Sequence, residues 1–167
     1  GASTMTGGVA ALGQKSVYTA IDIGSVAYSS MGTAVNSVNG TIYFADIFIP
    51  SNVTLTGAAI LNGGTVGTNN WILGLYNSSG TLVANTALAG TLSSGANAFQ
   101  RIAFTSPYTA VGPARYWMAF QANGATDAAR MIAANTFVDQ LTSSQAGTFG
   151  TLASVPPPTT LTANVGP

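Results

Sequence analysis

The sequence predicts an all-β protein: a two-sheet antiparallel β-sandwich, jelly-roll-like, with about eight strands. Three observations carry that expectation. Short runs rich in β-branched and aromatic residues recur along the chain, each closed by an Asn-Gly, Gly-Gly, Ser-Pro or Pro signal. No long segment keeps the apolar period of roughly 3.6 residues that an amphipathic helix needs. At 167 residues the chain is long enough for one well-buried core and short for two.

Taken in order, residues 1–39 read as an extended N-terminal arm with a lead-in strand, and residues 40–167 as the sandwich. The first 16 residues are rich in Gly, Ala, Ser and Thr without a sustained period, as an arm ordered against a neighbour would be. A strand is expected near Ser16 to Ile23, then a small-residue stretch from Gly24 to Val38 and a turn at Asn39-Gly40. Thr41 to Ile49 is dense in strand formers and stops at Pro50. Tyr43, Ala45, Ile47 and Ile49 fall on one face, Ile42, Phe44 and Phe48 on the other. A strand apolar on both faces is covered on both, here by a loop, the arm or another subunit.

Val53 to Leu61 alternates at first, with Val53, Leu55 and Gly57 opposing Thr54 and Thr56, and ends at Asn62-Gly63-Gly64. Trp71 to Ala84 is the clearest hairpin: two apolar runs around Asn77, Ser78, Ser79 and Gly80. Gly80 supplies a positive φ and Asn77 bonds its own backbone. A small-residue loop follows from Asn85 to Asn97. Gln100 to Phe104 is a strand with Ile102 and Phe104 inward and Arg101 outward; Ser106-Pro107 and Val111-Gly112-Pro113 punctuate the next connection. Arg115 to Gln121 sets Tyr116, Met118 and Phe120 against Trp117 and Ala119, and Asn123-Gly124 turns the chain. Between Thr126 and Phe137, Asp127 suits a helix cap, but the β context points to a strand at Arg130 to Ala134. Thr142 to Pro158 reads as a low-complexity loop, and Thr159 to Val165 as a last strand.

Composition narrows function. The chain is 47% hydrophobic and only 5% charged with zero net charge, where an ordinary domain has roughly 25% charged residues. The charges are Lys15, Asp22, Asp46, Arg101, Arg115, Asp127, Arg130 and Asp139. Few charges mean little repulsion between molecules, so much of the surface is expected to be covered in an assembly; the other reading is a surface solvated by Ser, Thr, Asn and Gln. There is no basic patch for nucleic acid and no apolar run of membrane-spanning length.

The absence of His, Cys and Glu removes the usual catalytic triads, thiolate or His-based zinc sites and a Glu general acid. The four Asp residues lie on separate segments with no Asp-x-Asp spacing, so they read as turn, cap and strand residues. Lys15 falls in the arm rather than an apolar pocket. No enzyme, cofactor or metal is expected. Three glycosylation sequons, at Asn39, Asn52 and Asn77, are matches that chance supplies at turns rich in Asn, Ser and Thr. Trp71, Asn70 and Tyr108 are the candidate contacts for a ligand or partner, Trp71 being the best placed for stacking on a sugar; core packing is the favoured reading of the aromatics.

From Gly40 onward the order of motifs resembles a group of bacteriophage virion structural proteins found among capsid decoration, tail and fibre components. The resembling pieces are Gly40 to Ala45 leading to Ile49-Pro50, Val53 to Gly57, Leu75 to Ala84, Ala98 to Phe104, Gly112 to Tyr116 and Ala163 to Pro167. The resemblance implies a non-enzymatic structural role in a virion, in a homotrimer contacting the major capsid or tail protein, and transfers no catalytic residue. A carbohydrate- or receptor-binding module, meeting a host glycan, is the alternative.

Overall fold

A computed structural model describes residues 32–131, 141–153 and 166. The expectations for the N-terminal arm, the strand near Ser16 to Ile23 and the last strand at Thr159 to Val165 lie outside these residues, as do Lys15, Asp22 and Asp139.

Ten strands form two antiparallel layers: β1 Thr33–Asn36, β2 Thr41–Ile49, β3 Val53–Leu61, β4 Asn70–Tyr76, β5 Leu82–Asn85, β6 Thr91–Leu92, β7 Phe99–Ala110, β8 Ala114–Ala122, β9 Ala128–Met131 and β10 Thr142–Ala146. One layer has the order β10-β2-β8-β4-β5, with β6 on the start of β4. The other consists of β3-β7 and β1-β9, joined by a bridge between Asn62 and Ala129. The main core lies between the layers. Tyr43, Ile47, Ile49, Trp71, Leu73, Leu75, Tyr116 and Phe120 meet Ala58, Ile60, Ile102, Phe104, Ala129 and Met131 there.

The central hairpin forms as its sequence requires. Gly80 has φ +79°, and the Asn77 Oδ1 accepts hydrogen bonds from the Ser79 and Thr81 amides, both at 3.0 Å. Leu75 enters the main core while Tyr76 enters a second cluster on the outer face of the same sheet. The split of β8 is also as read: Tyr116 and Phe120 point inward, Trp117 and Ala119 outward.

The second cluster answers what covers the doubly apolar β2. Ile42, Phe44, Tyr76, Trp117 and Ala119 are buried on the outer face beside Leu82 of β5 and against Leu141 and Leu152, so the chain's own 141–153 segment forms the cover. Backbone and side-chain bonds hold it down. Strand β10 pairs with β2 from Thr41 to Ala45, Gln121 Nε2 donates to Thr148 O (3.0 Å), and the Gly147 amide donates to Gly40 O (2.9 Å).

Several expectations are corrected. Thr142 to Ala146 is a strand, not loop; its polar sequence shows no alternation because pairing with the edge of β2 is a backbone affair. Strand β1 lies in the small-residue stretch and pairs with β9, which itself starts at Ala128. Strand β7 runs through Ser106-Pro107 to Ala110, and the loop after Asn85 contains the short strand β6. Pro107 is tolerated because the β3-β7 register shifts there, between Leu55 and Gly57, where an amide donor is not required. Phe48, placed by alternation on a covered face, is 60% exposed; it lies beyond Asp46, the last residue of β2 that bonds to the covering segment, at Leu141.

Candidate functional site

The residues singled out for ligand contact do not form one site. Trp71, at the start of β4, has zero exposure and lies edge-on to Phe120 with ring centroids 5.2 Å apart. Its position in β4 puts it on the inner face with Leu73 and Leu75, so it is a core residue. Asn70 is half-buried and serves the turns: its amide donates to Asn123 Oδ1 (2.8 Å) and its Nδ2 to Ala89 O (3.3 Å). Tyr108 is half-buried, edge-on to Tyr116 at 6.3 Å; burial first, then the neighbouring Tyr116, raises its pKa. Trp71 pairs with Ala122 of β8, and Tyr116 lies six residues back along that strand. At the usual strand rise that separates the two by about 20 Å.

The most elaborate polar site is one that alignment of apolar runs could not find. Asp127 is fully buried in the loop before β9. Its Oδ2 accepts from the Thr68 amide (2.9 Å), the Asn69 amide (2.6 Å) and the Ser93 hydroxyl. Asn69 reciprocates: its Oδ1 accepts from the Thr126 and Asp127 amides, both at 2.9 Å. Ser93 Oγ also accepts from the Gly67 amide (2.8 Å), and the Ser37 amide donates to Asp127 O (3.0 Å). Burial opposes ionisation of this carboxyl, and the bonds from Asn69, Ser93 and Thr68 outweigh it, so its pKa lies below the usual range. Four segments of chain are thus tied at one end of the sandwich. The sequence signal was present in Asp127 as a capping residue; it caps loops rather than a helix.

The second described carboxylate, Asp46, sits on β2 facing outward beneath the cover. Its Oδ2 is 3.2 Å from Arg115 Nε, and its Oδ1 accepts from the Leu141 amide (2.9 Å). The two aspartates therefore belong to separate hydrogen-bonded sets on separate elements, each fastening a loop. Neither set presents a carboxylate pair for acid–base work, and no group of three or more His, Cys, Asp or Glu that could hold a metal ion occurs among the described residues.

What the surface does present is nearly uncharged: small and neutral polar side chains with a few protruding apolar ones. Phe48 and Val111 (65% exposed) lie at one end, and Leu88 and Leu92 also stand clear of the core. The Val111 loop is rigidly built: the Tyr116 hydroxyl donates to Val111 O (3.1 Å) and accepts from its amide (2.9 Å), while the Gly112 amide donates to Asn52 Oδ1 (3.0 Å). The outer face of β3-β7 pairs Thr54 with Thr109, Gly57 with Ala103, Ala59 with Arg101 and Leu61 with Phe99.

No family model, curated protein or solved structure matches the chain.

Proposed function

We propose that this chain is a non-enzymatic structural protein of a bacteriophage particle, decorating or cementing a capsid or forming part of a tail or fibre, and that it acts as a homo-oligomer, a trimer in the arrangement the sequence resemblance implies. The observation that carries the reading is the state of the charges. Of the five charged residues described, Asp46 and Asp127 are buried as loop fasteners and Arg130 is half-buried, which leaves Arg101 and Arg115 as the exposed ones. Neutral Thr, Ala, Ser and Gly, with protruding Phe48 and Val111, make up the rest. Such a surface lacks the charge that keeps free monomers apart and loses little when desolvated against another neutral face.

Light scattering on the eluting protein, followed by co-sedimentation with phage particles lacking it, tests the proposal. Stable oligomers that rebind particles are the expected result; a persistently monomeric protein with no affinity for particles would overturn it. The carbohydrate-binding alternative depended most on Trp71, and burial of that ring leaves the reading without its stacking platform.

A further inference from the structure

Three Asn-Gly pairs punctuate this chain, at 39–40, 62–63 and 123–124. Asparagine followed by glycine is chemically labile because the unhindered glycine amide nitrogen can close a ring on the side-chain carbonyl carbon. The structure treats the three pairs very differently.

Asn62 is fully buried, its Nδ2 donating to Ser94 O, to Gly95 O (3.2 Å) and to Gln100 Oε1 (3.4 Å). The would-be nucleophile, the Gly63 amide, is itself engaged, donating to Ala128 O at 2.7 Å. Asn123 is exposed, but its Oδ1 is held by the Asn70 amide at 2.8 Å and Gly124 is packed so closely on Asn69 that an added Cβ would lie 2.1 Å from Asn69 Nδ2. Ring closure there needs the turn to open. Asn39 is exposed in the turn closed by the Thr41 amide on Val38 O (3.3 Å); among the described residues its side chain has no hydrogen-bond partner, nor has the Gly40 amide. Gly40 has φ +81°, a conformation in which nothing but the Gly147 carbonyl, at 3.6 Å, approaches the Cβ position.

We propose that Asn39-Gly40 is a site of spontaneous covalent modification in the folded protein, and that Asn62 and Asn123 are protected from the same chemistry by the fold. The Gly40 amide nitrogen, giving up its proton to hydroxide or buffer base, attacks Asn39 Cγ. The new N–Cγ bond forms as the Cγ–Nδ2 bond breaks, and Nδ2 leaves as ammonia after taking up a proton. The resulting succinimide is opened by water at either carbonyl, giving aspartate or isoaspartate, with one added carboxylate in both products. Neither oxidation nor reduction is involved.

The position gives the modification a consequence. Gly40 O is the acceptor that holds Gly147, and so the return loop of the segment covering Ile42 and Phe44. An isoaspartate lengthens the main chain by one methylene immediately before that anchor, and the added charge takes the protein from net zero to minus one.

The test is incubation of the folded full chain at mildly alkaline pH with peptide mapping at intervals, run beside the same chain in denaturant. In the folded protein, acid and isoacid forms at residue 39 should accumulate at least about tenfold faster than at 62 or 123, which must wait for local opening. In denaturant the three pairs should react at comparable rates. Equal rates in the folded protein, or a folded chain in which residue 39 stays intact while the denatured chain converts, would overturn the proposal. Asn39→Gln supplies an independent readout: the acidic charge variant seen for the parent protein on isoelectric focusing should be absent, and its undiminished appearance would also overturn it.

Discussion

The two outer faces of the sandwich are finished in opposite ways, although both belong to sheets packed on the same core. On β2-β8-β4, the outer face holds Phe44, Tyr76 and Trp117 and is roofed by Leu141 and Leu152. On β3-β7, the outer face holds mostly small residues, Thr54, Gly57, Ala59, Ala103 and Thr109, with Arg101 among them and Leu61 and Phe99 at one end, and no roof crosses it among the described residues. The difference follows from side-chain size. Large aromatics on the outside of a sheet make solvent exposure costly, so the chain spends a segment covering them; small neutral residues impose no such demand on the monomer. The covered face therefore adds a second buried cluster to the fold, while the open face leaves mostly small side chains exposed.

That contrast is broken most directly at Trp117. The indole is buried in the outer cluster at 3% exposure, and Trp117→Ala would leave a cavity beneath the cover. A loss of about 3–5 kcal/mol, the range for large aromatic truncations in cores, is expected in chemical denaturation. If the loss were no larger than for a surface substitution, the outer cluster would not be a second core.

Asp127→Asn comes next. The neutral amide keeps an acceptor for Thr68, Asn69 and Ser93 but loses the charge that strengthens those bonds, at a cost of about 1.5–3 kcal/mol. The pH dependence checks the assignment. Because the folded pKa lies below the unfolded one, the contribution is fully present above about pH 4 and is lost as the pH falls through the native value. The variant should flatten the acid limb of the stability profile by that amount; an unchanged acid limb would mean that Asp127 does not govern it.

How much of this was legible beforehand depends on what the residues had to signal. The doubly apolar β2 and β8 announce a covered outer face, because alternation can show that both sides avoid water. The identity of the cover was not legible: Thr142 to Ala146 carries no apolar pattern, and its pairing is set by backbone groups on the free edge of β2. For the same reason alternation placed Phe48 under a cover whose bonds to β2 end two residues earlier, at Asp46. The Asp127 site escaped because its partners, Thr68, Asn69 and Ser93, are distant in sequence and of residue types that every turn here contains. Trp71 was the reverse case: flanking asparagines suggested exposure, whereas the phase of β4 decides its face.

The cover itself is sharpened by Leu152→Ala. Leu152 is half-buried against Gly74, so its truncation should cost about 1–2 kcal/mol, less than a fully buried leucine. The more telling readout is limited proteolysis, in which cleavage between residues 141 and 153 should accelerate more than cleavage anywhere in β3 or β7. Uniform acceleration would indicate that the cover does not open apart from the rest of the fold.

The smallest effect on the monomer is expected on the open face, and there the smallness is the point. Arg101 is exposed, faces outward beside Ala59 and makes no ion pair among the described residues. Arg101→Glu should leave the denaturation midpoint of the monomer within about 0.5 kcal/mol of the parent value, as surface changes do. If the open face is the one that meets another protein surface, the same reversal changes the sign of the charge that a partner's groups must complement there, which weakens a contact matched to the arginine. Analytical ultracentrifugation should then show weakened self-association or particle binding at low salt, with partial recovery as salt screens the charge. Unchanged association together with unchanged stability would take the β3-β7 face out of the assembly and leave the rigid end bearing Phe48 and Val111 as the surface to mutate next.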